Sequence, residues 1–364
     1  RGDRRMMSIG TRWINDLVRL RERNVAAVVV TVVSAKGSVP REPGTKMVVT
    51  AMEVLGTIGG GHLELQAIGI ARDQLGTQSA DESLRRFPLG ASLGQCCGGL
   101  VNLLFEPVTC DAPWLRSAFM LHRDRVPFVI VSPTRGTGNA NKAIVTADHV
   151  DDPSHLLDPR ALSVIRDHFA RAENACLWRP GERDDAPILF LDRIAACNFA
   201  IVLFGAGHVG RALVRVLADV DCEITWVDAR EAEFPREVAA NVDIVCTDGP
   251  EAEVDAARPG SHFVVMTHSH PLDEAICERI LRRDDFAYFG LIGSLAKRRQ
   301  FEKRLEQRGM PRGRFAAMTC PIGIAGIPGK EPATIAIAVA AELLQAHARS
   351  AARSPSVPGS VQLA

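Results

Sequence analysis

Two cysteines stand side by side between glycines in Gly94-Gln95-Cys96-Cys97-Gly98-Gly99, the segment of this sequence best suited to sulfur chemistry. Flanking glycines release the backbone from strand geometry. In an exposed loop, such a thiol could reach a metal or carry sulfane sulfur as a persulfide. The opposing reading makes both cysteines small buried hydrophobes ahead of a strand. A second candidate, Gly59-Gly60-Gly61, opens a helical pattern. Free amides and the positive end of the helix dipole would there meet a phosphate. Arg41, in Gly37-Ser38-Val39-Pro40-Arg41, could add a bidentate clamp. The bland alternative is a glycine turn between strand and helix.

A third candidate is Gly205-Ala206-Gly207-His208-Val209-Gly210, which follows an apolar run and leads into a helix. Its glycines permit a tight turn, close approach to a pyrophosphate, and close packing of helix on strand. Asp228 ends the next strand pattern, where a carboxylate can hold a ribose diol. Together they specify a Rossmann domain, a fold that is also reused without its ligand. His268-Ser269-His270-Pro271-Leu272-Asp273 falls just past a strand, at the carboxyl edge where open α/β sheets bind ligands. The two histidines could line a site or, with Asp273, ligate a metal, the lining role being preferred. Alternatively, Pro271 simply starts a helix capped by Ser269 or His270. Cys320, in Cys320-Pro321-Ile322-Gly323, ends the last expected strand on the same edge.

From residue 200 onward, strands and helices alternate, the pattern of a parallel sheet with crossover helices. Strands are expected at 200–204, 223–227, 243–247, 262–267, 287–292 and 315–319, with a last helix over 331–346. The fold class is α/β: a C-terminal doubly wound Rossmann sheet (196–346) preceded by an α+β domain (11–195). A Ser/Pro-rich tail, 347–364, is expected to be disordered. In the first domain, Trp13, Leu17 and Leu20 mark a helix, 25–33 and 46–50 strands, 62–75 a helix, Phe87-Pro88 a turn, and 100–105 a strand. Strands at 125–131 and 143–146, a helix at 160–172 and strands at 175–178 and 187–191 repeat that order. They predict a weak internal duplication, 24–108 and 125–192. The second copy lacks both the Gly-Gly-Gly-His-Leu-Glu and the Gln-Cys-Cys-Gly-Gly segments, which would therefore serve function rather than folding.

The 364 residues suit two or three domains. With 43 basic and 43 acidic residues, nothing electrostatic favours nucleic acid or an anionic membrane as partner. The densest basic run, Lys297-Arg298-Arg299 to Lys303-Arg304, reads as a solvated helix face. The apolar run at 25–33 is about half the length of a membrane-spanning helix and lacks a signal-peptide cleavage pattern. Nine cysteines, without a CxxC pair, suggest neither a disulfide framework nor structural zinc. A reducing cytoplasm is expected.

Three N-terminal segments, Gly37–Arg41, Gly56-Thr57-Ile58-Gly59-Gly60-Gly61-His62-Leu63-Glu64 and Gly94–Gly99, resemble the signature of the XdhC family. These are xanthine dehydrogenase accessory proteins related to CoxI-type maturation factors. Thr267-His268-Ser269-His270, Phe289-Gly290-Leu291-Ile292-Gly293-Ser294, Cys320–Gly323 and Gly329-Lys330-Glu331-Pro332 resemble its C-terminal part. The likeness runs from about 11 to 346 and is weakest over 110–195. It implies a molybdenum-cofactor chaperone of purine catabolism rather than a stand-alone enzyme. Such a protein holds the cofactor while a cysteine desulfurase supplies sulfur, then delivers it to xanthine dehydrogenase. Homodimerisation is a further implication. The implied cofactor residues are Arg41, Gly59, Gly60, Gly61, His62, Glu64, Gln95, Cys96 and Cys97, with Cys96 or Cys97 on molybdenum. In the C-terminal domain they are Gly205, Gly207, His208, Gly210, Asp228, His268, His270 and Cys320. Gln95 and the doubled thiol match the family's xanthine dehydrogenase branch better than the CoxI-like one. Two alternatives stand beside this: an NAD(P)-dependent oxidoreductase using the Rossmann domain, and an interaction protein in which that domain is degenerate.

Overall fold

The computed structural model describes residues 11–77, 81–89, 99–108, 112–137, 142–170, 175–179, 188–195 and 197–353. The chain divides into two units, one holding Gly10–Ala196 and the other everything from Cys197 on.

In the first unit, helix α1 (Arg12–Glu22) leads into β1 (Ala27–Lys36), β2 (Lys46–Val49) and β3 (Val54–Gly56). Helix α2 (Gly61–Thr77) and strands β4 (Asp81–Leu89) and β5 (Gly99–Val108) follow. Then come α3 (Pro113–Arg123), β6 (Phe128–Pro133), β7 (Arg135–Thr137), β8 (Ala143–Val145) and β9 (Val150–Asp151). Helix α4 (Pro159–Ala170), β10 (Cys176–Trp178) and β11 (Leu189–Ile194) complete the unit. Two antiparallel sheets result, ordered β3-β2-β1-β5-β4-β7 and β9-β8-β6-β11-β10. Strand β1 is buried on both faces: Val28, Val30 and Val32 pack in one core, Ala27 and Val29 in another. This alternation follows from the period of two along a strand. The turn expected at Phe87-Pro88 is instead part of β4, with Pro88 opposite Leu100. Proline fits there because β7 pairs with β4 only at Asp81, Glu82 and Ser83, leaving that stretch at an edge.

The second unit contains β12 (Ala200–Phe204), α5 (His208–Val216), β13 (Glu223–Asp228), β14 (Val242–Cys246), α6 (Ala252–Ala256) and β15 (His262–Val265). It ends with α7 (His270–Arg282), β16 (Tyr288–Leu291), α8 (Leu295–Gln307) and α9 (Pro332–Arg353). The sheet is parallel and ordered β14-β13-β12-β15-β16, the Rossmann order. Leu203 and Trp226 pack with Leu213 of α5 and Val339 and Leu343 of α9 on one face. Phe204, Phe263 and Phe289 meet Ile276 of α7 and Phe301 of α8 on the other. The strand expected at 315–319 does not form. Arg312–Ala317 is a 3-10 turn that drops Phe315 into the core, and only Thr319 bridges the sheet, at Gly290. Burial of Phe315 and Met318 produced an apolar pattern that mimics a strand. The last helix passes the expected end at 346 and reaches Arg353; 354–364 lie outside the described residues. Among the described residues, no helix is long and apolar enough to cross a membrane.

Candidate functional site

At the mouth of α2, segment 37–41 lies down on two glycines. Gly59 has φ +119°, and a Cβ there would lie 2.5 Å from the Pro40 Cβ and 3.4 Å from the Arg41 Cγ. A Cβ on Gly99 would come within 2.4 Å of the Ser38 carbonyl. The absence of a side chain at both positions draws together segment 37–41, the glycine run and the end of the Gln95–Gly99 motif. Arg41 and His62 are exposed at this corner, His62 with Nε2 3.1 Å from Gln66 Nε2. Gly60 and Gly61 also have positive φ, +76° and +68°. Gln95, Cys96 and Cys97 lie outside the described residues.

The anion cradle expected from Gly59-Gly60-Gly61 is filled by the chain's own carboxylate. Glu64 Oε2 accepts from the Thr57 hydroxyl at 2.5 Å, the Ile58 amide at 3.0 Å and the Gly60 amide at 3.1 Å. The Gly59 amide donates to Thr57 Oγ1 at 3.1 Å. A phosphate there would meet like charge and amides already engaged. Glu64 thereby caps the loop. Thr57 and Glu64 straddling the glycines were the signal in the sequence, a relative of the capping box.

At the Rossmann turn, packing explains two glycines and leaves the third unexplained. A Cβ on Gly205 would stand 2.3 Å from the Met266 carbonyl, and one on Gly210 would stand 2.1 Å from the Gly205 carbonyl. Gly207, the N-cap of α5, has φ −68° and ψ −171°, which any residue adopts, and a Cβ there meets nothing within 4 Å. His208 beside it is exposed. Asp228 is buried, its Oδ2 2.6 Å from the Ala206 amide. Arg230 grips the same carboxylate, Nε to Oδ1 at 3.0 Å and Nη2 to Oδ2 at 2.9 Å, and its amide donates to Oδ1 at 3.0 Å. Burial pushes the Asp228 pKa up, but these bonds outweigh it and hold the carboxyl at about 2. Arg230 was not singled out in the sequence, although it stands two residues past the acid.

On the carboxyl edge, His268 and His270 are exposed. Ser269 caps α7, its hydroxyl accepting from the Leu272 amide at 3.4 Å. Asp273, read as a conceivable metal partner of the histidines, turns inward. It is fully buried, accepting from the Thr267 amide (3.1 Å) and hydroxyl (2.7 Å) and pairing with Lys297 Nζ at 2.6 Å. Among the described residues, no group of three or more His, Cys, Asp or Glu is gathered as metal ligands. Cys320 is buried, with Sγ 3.7 Å from the Gly293 carbonyl; burial raises its pKa, against the pull of Lys297 and Arg298.

Sheet order and fingerprint turn place the second unit in the dinucleotide-fold class. The chain belongs to the XdhC family: the XdhC Rossmann domain matches residues 201–343, and the XdhC and CoxI family matches residues 20–88. Among similar proteins is a probable xanthine dehydrogenase subunit of Bacillus subtilis (strain 168), 25% identical over 348 residues, 91% of this chain and 96% of that one. The uncharacterized protein YqeB of Escherichia coli (strain K12) is 29% identical over 148 residues, 40% of this chain and 27% of its own length. A crystal structure of a xanthine dehydrogenase from Bacillus halodurans has the same fold, with TM-score 0.69 and 22% identity over 96% of this chain and 98% of that one.

Proposed function

We propose that this protein is a xanthine dehydrogenase accessory factor whose cargo is the molybdenum cofactor, held during sulfuration and then delivered to the enzyme. Family membership and the name of the full-length Bacillus subtilis relative support the link to xanthine dehydrogenase. The observation that carries the reading is the corner where Pro40 and Arg41 close on Gly59 and Ser38 closes on Gly99. Arg41 and His62, exposed at that corner, suit a pterin phosphate, with one change from the sequence expectation. Since Glu64 occupies the loop amides, Arg41 and His62 are the groups that would take the phosphate. The exposed backbone at Gly59 lets a flat ring approach closely. Cys96 or Cys97 would supply the soft donor that molybdenum and sulfur favour. The bound cofactor brings the dithiolene-held metal that accepts the terminal sulfur. The protein supplies anchorage, orientation and shelter from oxidant. A cysteine desulfurase is the proposed sulfur donor, and a homodimer the proposed assembly. The test is reconstitution of cofactor-free xanthine dehydrogenase by loaded protein, native or with both Cys96→Ala and Cys97→Ala. Loss of activation by the double variant, with its unfolding midpoint unchanged, is expected; equal activation by both proteins rules out the thiols.

A second proposal concerns the Rossmann unit, read as binding an adenine dinucleotide such as NAD(P). Gly207 supports it, because neither its backbone conformation nor its neighbours require glycine there. Asp228 would receive the ribose diol only by sharing its carboxylate with Arg230.

A further inference from the structure

The two halves of the antiparallel unit share one order of elements, except for β7, an extra strand of the second half that pairs with β4 of the first, and several turn bonds recur in both. Helices α1 and α3 each carry a tryptophan at their second position, Trp13 and Trp114. Each is followed by a non-glycine residue in the left-handed region, Asn24 at φ 55° and Arg125 at φ 59°, a rare conformation to meet twice at one place. The next amide folds back on the helix, Val25 to Leu20 at 2.8 Å and Val126 to Leu121 at 2.9 Å. In the β2–β3 turn, the Thr50 amide donates to the Glu53 carbonyl at 2.9 Å, and Thr50 Oγ1 accepts from the Glu53 amide at 2.9 Å. Thr146 and His149 repeat both bonds at 2.9 Å between β8 and β9. Registers agree as well: Val28 faces Val49 and Val29 faces Glu106, as Val129 faces Val145 and Ile130 faces Asp192. On this alignment Lys46 answers to Lys142, and Glu106 to Asp192.

The ion pairs cross from one half to the other. Lys46 Nζ lies 2.5 Å from Asp192, and Lys142 Nζ lies 2.6 Å from Glu106, with no side chain of the four more than 7% exposed. Each ammonium also stands over the tryptophan of its own half, Lys46 5.1 Å from the Trp13 ring and Lys142 4.4 Å from Trp114. The two rings are 6.2 Å apart. A contact answered by its mirror contact is the mark of an isologous interface, such as a two-fold dimer makes. The apolar residues sort the same way. Val28 and Val49 belong to a core with α2, and Val129 and Val145 to a separate core with α4. Val29, Val48, Ile130 and Ile144 share one cluster between the halves.

We infer that residues 12–108 and 113–194 are two copies of one module, docked through a self-complementary face whose natural partner is a second copy of itself. The module is longer than the repeats expected from sequence, since the tryptophan helices belong to it. The crossed ion pairs fix which register the copies adopt. Only the first copy carries the glycine–arginine corner, a clause that rests on the cofactor reading above. In the second copy, Asp152 does the capping work of Glu64, accepting from the Leu156 amide at 2.9 Å and the Leu157 amide at 2.8 Å, in a segment without glycines. The glycine run is therefore an addition to the module.

Thermal unfolding of the full chain tests the docking. Asp192→Asn strands Lys46 and should lower Tm by roughly 10 °C. Adding Lys46→Met to Asp192→Asn should return most of that loss, whereas Lys46→Met with Glu106→Gln, which breaks both pairs, should lose about the sum of its two single losses. The Lys142–Glu106 pair should behave in the same way. A Lys46→Met, Glu106→Gln variant more stable than either of its single variants, or single variants of one pair that leave Tm unchanged, overturns isologous docking. A second variant separates the cofactor clause: Thr57–Gly60 replaced by residues 152–158 should fold, with Tm within a few degrees of native, and should no longer retain cofactor. An unfolded graft overturns the claim that the glycine run is an addition. A folded graft that still retains cofactor overturns the cofactor reading of the corner and leaves the duplication standing.

Discussion

Gly207 is the residue through which nucleotide binding can be examined without disturbing the fold. A side chain there meets open space, so Gly207→Asp should leave stability within about 0.5 kcal/mol of native. Titration calorimetry with NAD and NADP should show binding to the native protein and none to Gly207→Asp, because the added carboxylate would face the phosphates. Native protein that binds neither dinucleotide makes the domain a scaffold. Glu64 allows the complementary experiment. Glu64→Ala leaves the Thr57 hydroxyl and the Ile58 and Gly60 amides without their acceptor and should cost about 1–3 kcal/mol in denaturant unfolding. Unchanged stability with lost cofactor affinity would return Glu64 to the ligand set. Spacing along the chain located the tight turn at Gly205 and Gly210 and the acid at the end of β13, Asp228, although not what that acid bonds to. The inward turn of Glu64 and the grip of Arg230 on Asp228 were not, because a side chain's partner depends on backbone geometry that spacing leaves free.

Between elements, the buried pair Asp273–Lys297 joins the start of α7 to α8 directly under the His268–His270 loop. Asp273→Asn would leave the Lys297 ammonium, itself largely buried, facing a neutral amide, and should destabilise the protein by about 3 kcal/mol. Asp273→Asn combined with Lys297→Met should recover part of this; no recovery would mean that the two side chains act separately. Alternating strands and helices were readable in the second unit because each carries its own hydrophobic period. The errors fell where burial and secondary structure part company. Phe315 and Met318 are buried from a 3-10 turn and its exit, and Pro88 sits in a strand at an edge that tolerates it. The charges that cross between the two halves of the first unit come from four distant points of the chain, so no local pattern announces them.

At the scale of the whole molecule, acid should weaken the fold through His262. This residue starts β15, is 1% exposed, and lies among Phe199, Tyr288 and His347 of α9, with Asp221 acting on His347. Burial is the main cause that lowers its pKa to about 4, against the raising effect of the Ala200 carbonyl. A histidine depressed in the folded state stabilises it fully above the unfolded value near 6.5, and that contribution fades as pH falls from there toward 4. The loss should approach about 3 kcal/mol, and His262→Phe should flatten the Tm profile between pH 6.5 and 4. An equally steep profile in the variant would assign the acid sensitivity to other groups. The central claim, that this chain carries molybdenum cofactor, is tested most directly by following oxidative loss of free cofactor in air by absorbance. Native protein in stoichiometric excess should slow that loss at least tenfold, and Arg41→Ala should lose most of this protection. Decay at the same rate with and without the protein would contradict the account.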